Sequence, residues 1–360
     1  MAKLKDRNRL KTIQAGINIF ADEAILIAKP ENRIYASGFT GSFAFLVITQ
    51  NTGYLLTDFR YIEQAKEQTE GFYVLNCGAD LPASLKQILP EEKISALLFE
   101  EDYITYAQYQ SWQGSLQPLK LKPAEGIIEK LRIIKDENEI KLLKKAAAIA
   151  DSSFNKIIDI IKPGLKEVEV ALELEYQMRS LGASGPSFET IVASGLRSSL
   201  PHGVASQKTL QAGDLVLFDF GATYRGYHSD MTRTVVLGKA TEEQKKLYKA
   251  VLDAQLRSLE TVKPGISCHD LDNTAREYLA LLGYGSYFGH SLGHGVGLAI
   301  HENPRVSPNS GDILQPGMVI TIEPGVYIND IGGVRIEDLV AVTAEGYCNL
   351  TRTSKGLLEI

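Results

Sequence analysis

Leu215–Thr234 reads LVLFDFGATYRGYHSDMTRT, and it opens as an unbroken apolar run of the kind that forms a strand buried on both faces. An acid, Asp219, sits fifth in that run, and a second acid, Asp230, follows eleven residues later. An unpaired carboxylate sunk into such a strand costs several kcal/mol, roughly, so a cation should meet it. The strand itself contains no Lys or Arg. A metal ion is therefore the expected counter-charge.

The stretch has an echo. Leu210–Gly221 (LQAGDLVLFDFG) superimposes on Leu314–Gly325 (LQPGMVITIEPG), so that Glu323 stands where Asp219 stood, 104 residues on. Upstream, Lys162-Pro163-Gly164 is matched by Lys263-Pro264-Gly265. Downstream, Asp230 in GYHSDMTRT has its counterpart in Glu337 of GGVRIEDLV. A period near 100 residues exceeds the roughly 20–50 of solenoid repeats. It describes a duplicated half-domain, each half giving one acid on a buried strand and one beyond a glycine-containing turn. Two such halves facing each other bring four carboxylates together.

The 360 residues suffice for two or three domains, and 44% hydrophobic with 23% charged residues is ordinary for a soluble globular chain. A net charge of -6 argues against a nucleic-acid or anionic-membrane binder. Cys77, Cys268 and Cys348 are scattered and odd in number, which suits a reducing cytoplasm. No signal-peptide core or membrane span is evident, so a cytoplasmic location is expected.

Before residue 126, short apolar runs at 24–29, 43–49, 53–58, 72–77 and 94–101 alternate with helical spacing at 60–69, 81–89 and 106–116. This predicts a separate α/β domain over 1–125, bounded by Lys122-Pro123-Ala124-Glu125-Gly126. Over 126–360 the order is two helices (136–161, 167–181) then strands (190–193, 214–220, 231–237). Two more helices (242–262, 268–282) and strands (319–322, 325–328, 337–342) follow. That is an α+β arrangement, doubled.

Between the halves lies GHSLGHGVGLAIHE (Gly289–Glu302), carrying His290, His294 and His301, three of only six histidines. A lone histidine in an apolar stretch is usually structural; three within twelve residues, flanked by glycines, point to a site. Four carboxylates with imidazole form a hard, oxygen-rich donor set, unlike the thiolates of structural zinc. Charge counting favours two divalent ions, since one would leave about two negative charges uncompensated. Paired cations suit hydrolysis.

The order DFGATYRGYHSDMTRT, HSLGHGVGLAIHENPR, EPGVY, GGVRIED resembles the pita-bread metallopeptidases, in the prolidase and aminopeptidase P branch. The likeness covers about residues 127–360. GFTGS and TDFRYIEQA extend it to a creatinase-type N-terminal domain. It implies Asp219, Asp230, His294, Glu323 and Glu337 as metal ligands, with Asp230 and Glu337 bridging. It also implies His290 and His301 as substrate-contacting and proton-transferring residues, with His202 (in LPHG) facing the bound peptide. Glu323 is a candidate general base as well. Arg335 is expected to hold ligand carboxylates in place. Arg305 is expected to grip a substrate carboxylate, as in similar prolidases, with an ordinary surface arginine as the rival reading. His228 and His269, and the many tyrosines, read as structural.

The expected activity is a dinuclear metal-dependent exopeptidase cleaving Xaa-Pro bonds, dipeptides preferred because of Arg305, with manganese first among Mn, Co, Zn and Fe(II). Longer peptides with proline second (aminopeptidase P) are the alternative substrates, and an inactive pita-bread peptide-binding module is the rival from another class. The additional N-terminal domain argues against methionine aminopeptidase, and the full ligand set against metal-free creatinase. The resemblance implies a homodimer.

Overall fold

The apolar runs of the first part of the chain form β1 (Glu23–Ile27), β2 (Phe45–Ile48), β3 (Gly53–Thr57), β4 (Phe72–Asn76) and β5 (Ala96–Phe99), with β6 (Lys120–Pro123) at one edge. They make one sheet ordered β4-β3-β2-β1-β5-β6. Helices α1 (Arg9–Gly16), α2 (Pro30–Ser37), α3 (Ile62–Gln68), α4 (Leu81–Glu91), α5 (Tyr106–Ser115) and α6 (Ile127–Arg132) accompany it. The consecutive parallel pairs β3–β4 and β5–β6 are joined through α3 and α5, as a parallel crossover requires, and β1 also runs parallel to β5. The computed structural model describes residues 9–16, 20–78 and 80–360, and the chain divides into units ending and beginning at Arg132 and Ile133. Helix α6, beyond the Lys122–Gly126 cluster, is tied to the first unit by Arg132 Nη1 donating to Asn32 Oδ1 at 2.8 Å.

The second unit begins with α7 (Glu137–Ile158) and α8 (Glu167–Ser180), then β7 (Gly185–Pro186), β8 (Ile191–Ser194), β9 (Leu215–Phe220), β10 (Ala222–Tyr224), β11 (Tyr227–His228) and β12 (Met231–Val236). The second half repeats the order: α9 (Glu242–Thr261) and α10 (Cys268–Leu281), then β13 (Gly293–Gly295), β14 (Glu302–Val306), β15 (Val319–Ile322), β16 (Gly325–Ile328), β17 (Gly332–Arg335), β18 (Asp338–Val342) and β19 (Tyr347–Asn349). Helix starts follow the expected capping chemistry. Asp136 accepts from the Asn138 and Glu139 amides while Glu139 reaches back to Asp136. Thr241 and Gln244 form the same box before α9. Among the described residues no helix is long and apolar enough to cross a membrane.

The duplication is written in the backbone bonds. Gly164 N donates to Leu210 O and Gly265 N to Leu314 O, both at 2.9 Å. Leu210 N returns to Leu165 O (2.8 Å), as Leu314 N does to Ile266 O (2.9 Å). Sheet order matches too: β12-β9-β8 in the first half corresponds to β18-β15-β13 within the larger sheet of the second. Each half owns a core. Phe154 of α7 meets Phe218 edge-on (5.5 Å) and stacks on Phe220 (6.1 Å) of β9. In the other half Leu271, Ala275 and Leu279 of α10 pack with Ile320, Ile322 and Val340.

Strand alternation then fixes where the acids point. On β9, Val216, Phe218 and Phe220 join the helix-side core, which turns Leu217 and Asp219 to the opposite face. On β15, Ile320 and Ile322 are in the core, so Thr321 and then Glu323 share the other face. Asp230 and Thr232 before and on β12, and Glu337 before β18, fall on the same side by the same count.

Gly213 and Gly317 occupy equivalent turns with φ of +91° and +90°, a region costly for a side chain by about 1–2 kcal/mol. A Cβ at Gly213 meets nothing within 4 Å, whereas one at Gly317 meets Ile134 Cγ2 at 2.8 Å and Lys135 O at 3.0 Å. Gly317→Ala should therefore lower unfolding free energy in urea by at least ~1 kcal/mol more than Gly213→Ala. Equal losses would mean that the turns are not packed as differently as they stand.

Candidate metal centre

Three donor atoms, one each from Asp230, His294 and Glu337, lie within 4.8 Å of one another. Glu323 joins them through Oε1, 3.4 Å from His294 Nε2, which also lies 3.5 Å from Asp230 Oδ2. Asp219 lines the same cleft, but its Oδ2 is held by Arg335 Nη2 at 2.5 Å. The cationic partner of the acid in β9 thus comes from β17 in the other half. Arg335 also spans to Thr232 Oγ1 (3.1 Å), the Pro201 carbonyl (3.3 Å) and the Tyr327 hydroxyl (2.5 Å).

The second half's acid is oriented by the first half's strand. Thr232 Oγ1 donates to Glu337 Oε2 at 2.7 Å, and the Glu337 amide donates to the Thr232 carbonyl at 3.1 Å. Thr321 Oγ1 similarly donates to Glu323 Oε1 at 3.0 Å and accepts the His294 amide at 3.1 Å. Ligand orientation by such neighbours is typical of metal centres.

Electrostatics test whether a cation fits. Burial first, then the charges of Glu337, Asp219 and Glu323, push the Asp230 carboxyl well above its ordinary range. Glu337 is raised by burial and by Glu323 and Asp219. Burial lifts Glu323 to about 8. These acids resist sharing the space as bare anions. His294 is pushed down to about 4, by burial and then by His301, so its ring is neutral at neutral pH. Its Nδ1 lies 3.0 Å from the Gly295 carbonyl; a proton there leaves an unshared pair on Nε2, facing two carboxylate oxygens. Acceptors face acceptors at 3.4–3.5 Å, about the separation of two donors that each lie ~2.1 Å from one ion. Asp230 Oδ1 is buried without a hydrogen-bond partner. A divalent cation satisfies every one of these features.

The other candidates take distinct places. His290 is pushed to about 4 by burial and then by Arg335; Nδ1 faces the Ser291 carbonyl (2.8 Å) and Nε2 the Tyr327 hydroxyl (2.9 Å). His301, lowered by burial and then by Arg305, is exposed at the rim with its ring 4.3 Å from that of His294. His202 is exposed on the loop after β8 and lines the cleft. Arg305 stands directly opposite His294 in the β13–β14 ladder, so both side chains rise from the same face into the cleft. His228 meets Thr223 Oγ1, and His269 meets Pro308 O and Asn273; neither lines the cleft.

Tyr327, read from sequence as packing, is a further member of the site: its hydroxyl joins Arg335 to His290, and burial pushes it up to about 12. The signal was available in the β16–β17 hairpin, whose register places Gly333 opposite Tyr327 and so Arg335 on its diagonal.

Comparison with known proteins agrees with this geometry. The model of metallopeptidase family M24 matches residues 141–344, and that of the creatinase/prolidase N-terminal domain residues 9–134. The chain is 43% identical over 342 residues to an Xaa-Pro dipeptidase of Pyrococcus horikoshii, covering 93% of this chain and 94% of that protein. Among solved structures, an Xaa-Pro dipeptidase from Bacillus anthracis matches with a TM-score of 0.94 at 43% identity, covering 98% of this chain and 99% of that one. An X-Pro aminopeptidase from Thermotoga maritima matches with a TM-score of 0.90 at 39% identity, covering 95% and 98%.

A pH consequence follows for the chelated protein. An unfolded glutamic acid releases its proton near 4.5, while folded Glu323 holds it to about 8. Across that window the unfolded chain binds fewer protons, so folding stability falls as pH rises. The metal-free protein should be at least ~1.4 kcal/mol less stable at pH 8 than at pH 6, the equivalent of a tenfold change in one proton affinity. Saturating divalent metal should abolish the difference in urea denaturation. A chelated protein equally stable at both pH values would show that the acids do not share a confined space.

Proposed function

The chain belongs to metallopeptidase family M24, with a creatinase-type N-terminal domain ahead of a pita-bread catalytic domain, and on that premise we propose that it hydrolyses the bond between an N-terminal residue and proline, preferring dipeptides. The observation that carries the dipeptide preference is Arg305. It rises beside His294 from the facing strand, lines a cleft of about 660 Å³, and is exposed. A dipeptide places its free carboxylate one residue from the scissile bond, within reach of such a guanidinium, and a bidentate pair follows. Longer peptides lack that carboxylate there.

We assign Asp219, Asp230, His294, Glu323 and Glu337 to two divalent ions, Asp230 and Glu337 bridging, with Arg335 holding Asp219 in orientation. Manganese is the first choice, given the oxygen-rich donor set, ahead of cobalt, zinc and iron(II). When bound, such ions supply Lewis-acid polarisation of the scissile carbonyl and a nucleophilic water at neutral pH. The chain's own groups do the remainder. Proline's nitrogen leaves as a secondary amine and must acquire a proton; Glu323 is the group placed to take one from water and deliver it. Thr321 fixes the Glu323 carboxyl by its hydrogen bond. His290 is assigned to substrate contact and proton exchange on the family likeness. Its one ring proton is on Nδ1 toward the Ser291 carbonyl and Nε2 accepts from the Tyr327 hydroxyl, so it would take a proton through Nε2 and not give one. His202 and His301, which both line the cleft and are exposed, would contact the bound peptide.

A cytoplasmic homodimer completes the proposal. The cysteines Cys77, Cys268 and Cys348 are all free, as a reducing compartment allows; the dimer rests on the family likeness.

Chelation should abolish turnover of Xaa-Pro dipeptides, and restoring metals one at a time should rank them, with manganese at or near the top. Arg305→Ala should lower kcat/KM roughly 10- to 100-fold for a dipeptide, the worth of a hydrogen-bonded charge, and much less for the Xaa-Pro-Yaa tripeptide. Equal losses would shift the assignment to longer peptides, as in an aminopeptidase P. Metal-loaded protein that binds such peptides without cleaving them would make it a binding module.

A further inference from the structure

We propose that Glu167, the first residue of α8, is a positioning residue that sets the place of His202 by clasping both ends of the loop that carries it. Glu167 is fully buried. Its Oε1 accepts the Ser194 amide and hydroxyl, both at 2.8 Å. Its Oε2 accepts the Ser206 amide (3.1 Å) and hydroxyl (2.6 Å), and also Arg197 Nη1. Ser194 and Ser206 are the two feet of the loop. Arg197 extends the grip to its far side by donating Nη2 to the Val204 carbonyl at 3.0 Å. One carboxylate thus closes an eleven-residue excursion, residues 195–205, with five hydrogen bonds. The excursion delivers two things to the cleft: the His202 ring, and the Pro201 carbonyl that accepts Arg335. The other half repeats the device. Fully buried Asp272 pairs with Arg276 (2.7 and 3.1 Å) and accepts the Leu292 amide at 2.9 Å. Arg276 then donates to the carbonyls of Phe288 and of His290 itself (3.0 and 2.9 Å). His202 and His290 therefore each have a buried acid–arginine clasp, and neither acid lines the cleft.

A loop pinned at both feet surrenders its conformational freedom once, on folding, instead of at every substrate encounter. Glu167 acts through His202, so its kinetic effect should vanish when His202 is absent. This arm rests on the proposed Xaa-Pro peptidase activity. The test uses the full-length, metal-loaded protein carrying Glu167→Gln or Arg197→Gln, each alone and combined with His202→Ala; Arg197→Gln carries the test should Glu167→Gln not fold. Each single variant should retain bound metal and lose on the order of 10- to 100-fold in kcat/KM on an Xaa-Pro dipeptide. In the His202→Ala background the further loss should be less than about twofold. A second readout needs no activity: chymotryptic cleavage after Leu196, which is 59% exposed on the loop, should accelerate at least about tenfold on release of the clasp. Additive losses, an unchanged cleavage rate, or a His202→Ala protein as active as the wild type would overturn the assignment. A wild type that cleaves no Xaa-Pro bond would remove the peptidase reading, and the cleavage rates would then decide the clasp alone.

Discussion

Buried carboxylates pressed against one another repel, and for three of the four in this cleft the hydrogen bonds of Thr232 and Thr321 and the more distant charge of Arg335 offset that only in part. Asp219 alone has an arginine on it. Asp230, Glu323 and Glu337 are surrounded by hydroxyls, an unprotonated imidazole and each other, and all three resist ionisation as they stand. The fold concentrates the cost of a buried negative site and leaves its relief to divalent cations. Everything else in the cleft, from the threonines to the arginine, serves to keep those oxygens aimed inward.

Much of this was legible in the sequence because it is local or periodic. The repeat spacing located all four acids, and the helices Glu137–Ile158, Glu167–Ser180, Glu242–Thr261 and Cys268–Leu281 lie within a few residues of where apolar spacing and caps put them. What escaped is long-range. Arg335 is expected from its place in the chain to hold ligand carboxylates, but no local signal says that the one it holds is Asp219, across the junction of the halves. β13 and β14 escaped because β13 (GHG) is two-thirds glycine and β14 (ENPRV) is mostly polar with a proline at its centre. They form because glycine lets backbones close in: a Cβ at Gly293 would fall 2.0 Å from the Thr321 carbonyl, and one at Gly295 would fall 2.3 Å from that of Asn303. The short helix Pro30–Ser37 escaped since five of its eight residues are polar, proline or charged; its stability comes from Glu100, whose carboxylate accepts the Ala28 and Lys29 amides at its start.

The site also shows how rigidity is distributed. Strands and the residues immediately flanking them supply the cleft's four carboxylates and His294, so their positions inherit the precision of the sheet register. The histidines His202 and His290 come from irregular segments, and there buried acids replace register as the source of order. Loops can therefore be replaced around the cleft while the sheets keep the carboxylates where they are.

Thr232 carries an implication about origins. It belongs to the first half, yet its hydroxyl and carbonyl orient Glu337 of the second, and Arg335 of the second steadies Asp219 of the first. Neither half encloses a complete cage. A gene encoding one copy would have made such a centre only at the twofold axis between two identical molecules, each lending the other the same residues. In one chain the copies need not stay alike: the first gives the cleft Asp219 and Asp230, the second Glu323, Glu337 and His294, an asymmetry that only tethering allows.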